Sequence, residues 1–396
     1  MINFKIILIS LIIVLLPFSP LLSLLLSILY ILSIDRSRVS YSDIIPIIVF
    51  LVLLSFLAAS RGIFETAKDD FSDYYKNYQA FSHGNIKALF EWGMGFEVGL
   101  PLINNIFSII SVEIKPRLLL FLHLLCINTL LFYFVLKLAK AINVKKLGIF
   151  LCYFFLFLGV TGISNLLRQS YASVFLCLAF IERRNLNIII GSIFHLSTLF
   201  LYWLYDLIFT ERKERTLLVI AISIFLVING HFIKLVLTYI ASFKFEAYLI
   251  GPKDGYSYFS VLSAYKEFIL LCVMSGLNFK RGYNKYIFYS TLNLILIIFS
   301  LETFIPGLSL RLFHGSLVLL IGPALFLVLF SYNKYLPYIL LLPLMFLKGL
   351  SFYNNKHDMA LFNDKRIYYS TPFEYISFLD QNISNDKRDW KKLKYE

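Results

Sequence analysis

The sequence predicts an all-α, polytopic integral membrane protein, and three observations lead there. Of the 396 residues, 59% are hydrophobic and only 15% are charged, against about 45–50% and about 25% in ordinary globular domains. Mean hydropathy is +0.76. Apolar runs of near-spanning length recur from the first residues to residue 350. A chain with so little polar surface cannot cover a water-soluble body, so lipid is its solvent.

A crossing helix needs about 20 mostly apolar residues, because its backbone must satisfy its own hydrogen bonds in hydrocarbon. That rule selects 44–60, 117–136, 147–164, 167–182, 259–277, 285–301, 310–330 and 336–350. With the ambiguous stretches counted, about 10–12 transmembrane helices result. Residues 1–34 read either as one long kinked span or as two short helices hinged at Pro17-Phe18-Ser19-Pro20. Runs 187–210 and 216–243 flank the charged turn Glu211-Arg212-Lys213-Glu214-Arg215. Either one run is re-entrant, or one splits near Asn229-Gly230.

Sidedness follows from Lys and Arg, which favour cytoplasmic loops. Placing Arg36/Arg38, Lys137–Lys146, Arg183/Arg184, Lys280/Arg281/Lys285 and Lys334 inside puts loops 61–116 and 244–258 outside. The segment 98–112 then cannot cross and reads as a re-entrant or interfacial helix. Residues 1–352 form the transmembrane domain, and 353–396 form a polar tail on the outer, periplasmic side.

Net charge is +13, but the basic residues sit in short loop clusters, which argues against a nucleic-acid partner. Cys126, Cys152, Cys177 and Cys272 lie in apolar runs without CxxC or Cys/His spacing, so neither a disulfide framework nor a zinc site is expected. The interrupted first run is not followed by a small-residue cleavage site, so no cleavable signal peptide is expected. Walker A, HExxH, GxSxG and GxGxxG patterns are absent, which removes ATP-driven transport, zinc proteolysis and dinucleotide chemistry.

Ionisable groups at membrane depth are costly and mark candidate sites. Outside the third apolar run lie Arg61 and then Lys68-Asp69-Asp70-Phe71-Ser72-Asp73-Tyr74-Tyr75. Its carboxylates suit general base work and its tyrosines suit sugar contact; the alternative is a solvated loop with an interfacial tyrosine belt. Next, Glu97 opens an apolar helix just after Gly93-Met94-Gly95, as a catalytic carboxylate or as a simple helix-end charge. In Asn165-Leu166-Leu167-Arg168-Gln169, spacing of three and four places Asn165, Arg168 and Gln169 on one helix face. A planar guanidinium beside two amides suits a pyrophosphate oxyanion; the alternative is an arginine snorkelling to headgroups. His195, within Phe194-His195-Leu196-Ser197-Thr198, serves either helix packing or catalysis. Arg311 and His314 fall one turn apart and offer a second basic site.

In this order the residues resemble the EpsG/Wzy-like family of bacterial polysaccharide polymerases. The resemblance covers roughly residues 55–330 and rests on Arg61; Asp70, Asp73 and Tyr74; Glu97-Val98-Gly99-Leu100; Asn165, Arg168 and Gln169; His195 and Ser197; and Arg311. After Gly99 stands a leucine where the family pattern has an aromatic, and Glu91 offers a rival position for the glutamate. The resemblance implies a GT-C-like polymerase architecture in the bacterial inner membrane, joining undecaprenyl-pyrophosphate-linked oligosaccharide units at the periplasmic face. O-antigen, lipopolysaccharide, capsule and exopolysaccharide assembly are all such pathways, with a flippase and a chain-length regulator as partners. On this reading Arg168, Asn165, Gln169 and Arg311 bind pyrophosphate, while Arg61, Asp70 and Tyr74 bind sugar. Glu97 or Asp73 is the base, and His195 orients a neighbour or carries a proton. Neither cofactor nor metal is required if arginines supply the positive charge. A flippase for the same lipid, an O-antigen ligase and a membrane acyltransferase are the rivals.

Overall fold

The computed structural model describes residues 2–35, 37–60, 70–158, 163–164, 166–240, 265–304 and 308–354. Among them, helices follow in the order α1 (Ile2–Leu15), α2 (Pro20–Leu32), α3 (Ile44–Ala59), α4 (Phe71–Ser82), α5 (Gly99–Ile110) and α6 (Pro116–Ala141). Then come α7 (Leu147–Phe157), α8 (Leu167–Glu182), α9 (Asn185–Phe194), α10 (Ser197–Ile208) and α11 (Lys213–Ile240). The last four are α12 (Lys266–Leu277), α13 (Asn284–Phe304), α14 (Leu308–Tyr332) and α15 (Leu336–Asn354). Among the described residues, four helical stretches are long and apolar enough to cross a bilayer: Tyr41–Ala59, Pro116–Ala141, Asn284–Thr303 and Gly315–Tyr332. Shorter apolar helices accompany them. The chain is an all-helical, polytopic membrane protein.

The chain divides into two compact units, Met1–Thr198 with Leu340–Glu396, and Leu199–Ile339. In the first, residues 2–32 form two hinged helices. Pro20 occupies the first turn of α2, Ser19 caps it through Leu22 N–H at 3.4 Å, and Ser23 Oγ donates to Ile12 O of α1 at 2.8 Å. Asp43 fixes the entry to α3, accepting from Ser40 N–H at 2.7 Å and from the buried Tyr30 hydroxyl at 3.0 Å. Asn128 of α6 donates to Ser55 Oγ of α3 at 2.8 Å, a polar tie of the kind that joins helices in hydrocarbon. Gly148 lets α7 press on α2: a Cβ there would lie 2.1 Å from the backbone oxygen of Ile31.

In the second unit, Asn293 Nδ2 of α13 donates to Ile208 O at 3.0 Å. The buried Glu302 carboxylate accepts from Ser309 N–H at 3.1 Å and Ser309 Oγ at 2.5 Å, closing the first turn of α14.

Three expectations are refined. The helix in 98–112 has 12 residues, which at 1.5 Å per residue makes about 18 Å, too short to cross. The run 187–210 breaks at His195-Leu196, whereas α11 passes unbroken through Asn229-Gly230. Of the two alternatives the sequence leaves open, a re-entrant run or a split near Asn229-Gly230, the second is not what the structure shows. Within 147–164 the described helix stops at Phe157, where Leu158 turns extended. The loop expected over 244–258 and the tail beyond Asn354 lie outside the described residues.

Candidate active site

The site assembles in the first unit from α4, α5, the turn before it, and the start of α8. In α4, Phe71, Tyr74, Asn77, Tyr78 and Phe81 are buried, a three-and-four spacing that gives the helix one inward stripe. Gly93, Met94 and Gly95 follow with φ of 57°, 57° and 88°. Three successive left-handed residues are rare outside glycine, and such strain concentrates where a side chain must be aimed. The turn brings Trp92 and Glu97 to the same place. Gly93 has no room for a side chain: a Cβ would stand 2.3 Å from Glu97 Cγ.

Glu97 is 5% exposed, and both its oxygens are engaged. Arg168 Nη1, from the first turn of α8, donates to Oε2 at 2.5 Å. Leu196 N–H donates to Oε1 at 2.9 Å, and His195 Nδ1 lies 3.5 Å from the same oxygen. The carboxylate therefore does not cap its own helix, whose N-terminal flank is Val98. It faces instead the amide that opens α10, where a helix N-terminus favours negative charge. Ser197 Oγ sits 2.9 Å from His195 Nδ1.

Arg168 has 22% of its side chain exposed and packs against the protein. Its guanidinium carbon lies 5.0 Å from the Trp92 ring centre and 5.8 Å from that of Tyr74, within cation–π range. The two rings meet edge to face at 5.4 Å. The Tyr74 hydroxyl donates to Asp70 Oδ2 at 3.4 Å. Burial raises the Tyr74 phenol above the usual tyrosine range, with Arg168 pulling the other way, so at neutral pH it is a protonated donor. Arg168 Nε is buried without a hydrogen-bond partner among the described residues.

Of the residues singled out in the sequence, Glu97, Arg168, His195, Tyr74 and Asp70 come together here. Gln169 adjoins Arg168 on α8. Asp73 does not join them: its carboxylate is 64% exposed and pairs with Lys76 at 3.1 Å. Glu91 accepts from Asn77 Nδ2 at 2.6 Å, so the glutamate on Arg168 is Glu97. Arg61 and Asn165 lie outside the described residues. Arg311 is in the first turn of α14, in the second unit, and its side chain is outside the description. Trp92 was not anticipated; its only signal was an aromatic beside a Gly-rich turn.

Fold and site together define a multi-pass membrane protein that keeps a carboxylate–guanidinium pair beside a helix too short to cross. The chain belongs to the EpsG family, whose profile matches residues 43–371. That membership points to exopolysaccharide biosynthesis, with lipid-linked polysaccharide as the substrate class. No curated protein and no solved structure matches the chain.

Proposed function

We propose that this protein is a repeat-unit polymerase, a glycosyltransferase of the inner membrane that joins undecaprenyl-pyrophosphate-linked oligosaccharides at the periplasmic face. The observation that carries the reading is the Glu97–Arg168 pair, a buried carboxylate held on a guanidinium that keeps a free Nε donor. Phosphate oxygens compete for a guanidinium through the same fork as a carboxylate. An arriving pyrophosphate takes over Arg168 and releases Glu97 from it.

The acceptor hydroxyl oxygen then bonds to the donor's anomeric carbon as that carbon's bond to the pyrophosphate oxygen breaks. The electron pair leaves with the pyrophosphate, whose growing charge Arg168 stabilises. The hydroxyl proton passes to Glu97, 3.5 Å from His195 Nδ1, which orients the carboxylate or carries the proton onward. Asn165 and Gln169 complete the grip on the diphosphate. Tyr74, Asp70 and Arg61 meet the sugar, the first two already joined by a hydrogen bond. Positive charge from arginine makes a metal unnecessary on this path.

The test is deletion of the gene and complementation with wild-type chain or Arg168→Ala, read as surface glycan length at equal membrane expression. A single capped unit in place of a ladder supports a polymerase. Loss of all attached glycan indicates a ligase, and a normal ladder with Arg168→Ala removes the assignment.

A further inference from the structure

Behind the site runs a buried polar chain that the reaction scheme does not use. Asn77 Nδ2 of α4 donates to Ala88 O at 2.8 Å and to Glu91 Oε2 at 2.6 Å. Asn104 Nδ2 of α5 donates to Tyr74 O at 3.2 Å and to Asn77 Oδ1 at 3.0 Å. His123 Nε2 of α6 lies 2.9 Å from Asn104 Oδ1, and its Nδ1 lies 3.3 Å from the Tyr171 hydroxyl of α8. Asn104 and His123 are fully buried, and Asn77 and Tyr171 nearly so.

Two backbone carbonyls fix the orientation of both amides in this chain. A carbonyl only accepts, so Ala88 O sets the Asn77 amide and Tyr74 O sets the Asn104 amide. Asn104 therefore turns its oxygen to His123 and Nε2 carries the proton; the Tyr171 hydroxyl, 3.3 Å from Nδ1, also donates to the backbone oxygen of His123 at 3.2 Å. Tyr171 is thereby tied to both the ring and the backbone of His123. Unlike a string of proton carriers, two amides in series hold geometry without passing a proton.

The ends of this chain touch the site. Tyr171 stands one turn beyond Arg168 on α8 and stacks on Phe194 at 4.7 Å, the residue before His195. Phe194 closes over Gly99, where a Cβ would lie 2.8 Å from the ring. At the other end, Tyr74 and Trp92 flank the Arg168 guanidinium, and Trp92 follows Glu91 in sequence.

We propose that His123 is a positioning residue: through Asn104 on one side and Tyr171 on the other, it sets Arg168 and His195 against Glu97. The chemical part of this claim rests on the polymerase reading, and the positional part does not. A shift of about 1 Å in such a constellation costs on the order of 10²-fold in rate.

The experiment compares His123→Leu, His123→Gln and Tyr171→Phe in full-length chain carrying Trp203→Phe and Trp390→Phe, so that Trp92 is the sole tryptophan and is excited selectively over tyrosine. Glutamine can replace the Nε2–H donor, whereas leucine cannot; phenylalanine keeps the ring stack and removes one hydroxyl, a milder variant that keeps the test open should leucine not fold. Expected are a changed Trp92 emission maximum and easier acrylamide quenching in His123→Leu, with wild-type values in His123→Gln and intermediate ones in Tyr171→Phe. In a reconstituted polymerisation assay, kcat should fall in the same order while KM for the lipid-linked unit holds. Unchanged Trp92 emission in both His123→Leu and Tyr171→Phe would overturn the proposal, as would failure of glutamine to restore it. Fluorescence that follows the predicted order in a chain without polymerising activity would sink the polymerase reading and leave the positioning role standing.

Discussion

Arg168 and Glu97 stand 71 positions apart in the chain, yet Nη1 of one lies 2.5 Å from Oε2 of the other. The pair joins the start of α8 to the turn before α5. Breaking such a buried pair by removing one charge usually costs more than replacing both, because the remaining charge is left uncompensated. Arg168 is less exposed to that penalty than a fully buried arginine, since two aromatic rings flank its guanidinium.

Substituting Arg168→Lys separates charge from shape. Lysine keeps the positive charge and loses the planar fork and the ring contacts. Removing a preorganised donor to developing charge costs about 10²–10³ in turnover, and a loss of that size is expected here with KM also raised. Repeat-unit incorporation in membranes at matched expression is the measurement; activity within threefold of wild type would show that a point charge suffices.

A second substitution, Glu97→Gln, tests whether the carboxylate moves a proton or only holds Arg168. Glutamine retains an oxygen for Leu196 N–H, which now meets Oε1 at 2.9 Å, and frees the guanidinium. As general base, its loss should lower kcat by about 10²–10⁴ with KM no higher than in wild type. A rise in KM at nearly constant kcat would instead make Glu97 a strut for the arginine.

The sequence made the fold class plain, because hydropathy is a bulk property that survives any error in helix ends. Arg168 and Gln169 were also legible, since spacing along a helix is local. What could not be read is pairing across the chain. Glu91, Glu97 and Asp73 are equally plausible carboxylates in one dimension, and only folding sends Glu97 to Arg168, Glu91 to Asn77 and Asp73 to Lys76. The helix break at His195 was hidden for a different reason: His195-Leu196-Ser197 holds neither proline nor glycine, and a long-range hydrogen bond from Leu196 to Glu97 marks it instead. Trp92 was lost among the many aromatics of a membrane protein.

Asp73 provides the contrast. With its carboxylate two-thirds in solvent and paired one turn away, Asp73→Asn should leave glycan ladder length unchanged. Collapse of the ladder in this variant would transfer the base role from Glu97 to Asp73.

Gly148→Ala probes packing away from the site. The added methyl meets a backbone oxygen, Ile31 O, at 2.1 Å and cannot be relieved by a rotamer change. Forced separation of packed elements costs about 1–3 kcal/mol, so a lower Tm in detergent and less folded protein per membrane are expected. Activity per folded molecule should hold, and a normal Tm would mean that α2 and α7 sit further apart.

Gly93→Ala strikes the site through the backbone. At φ of 57° an L-residue is already disfavoured, and the new Cβ would press on Glu97 Cγ at 2.3 Å, on the very side chain that meets Arg168. Both effects act together, since relaxing φ would carry Trp92 away from the guanidinium while keeping φ would push the carboxylate off it. The global fold rests on helices elsewhere, so the variant should insert normally and retain a Tm within a few degrees of wild type. Its ladder should shrink towards that of Glu97→Gln, and combining Gly93→Ala with Glu97→Gln should add little further loss, as expected when two changes act on one contact. Fully additive losses would mean that Gly93 works through something other than Glu97.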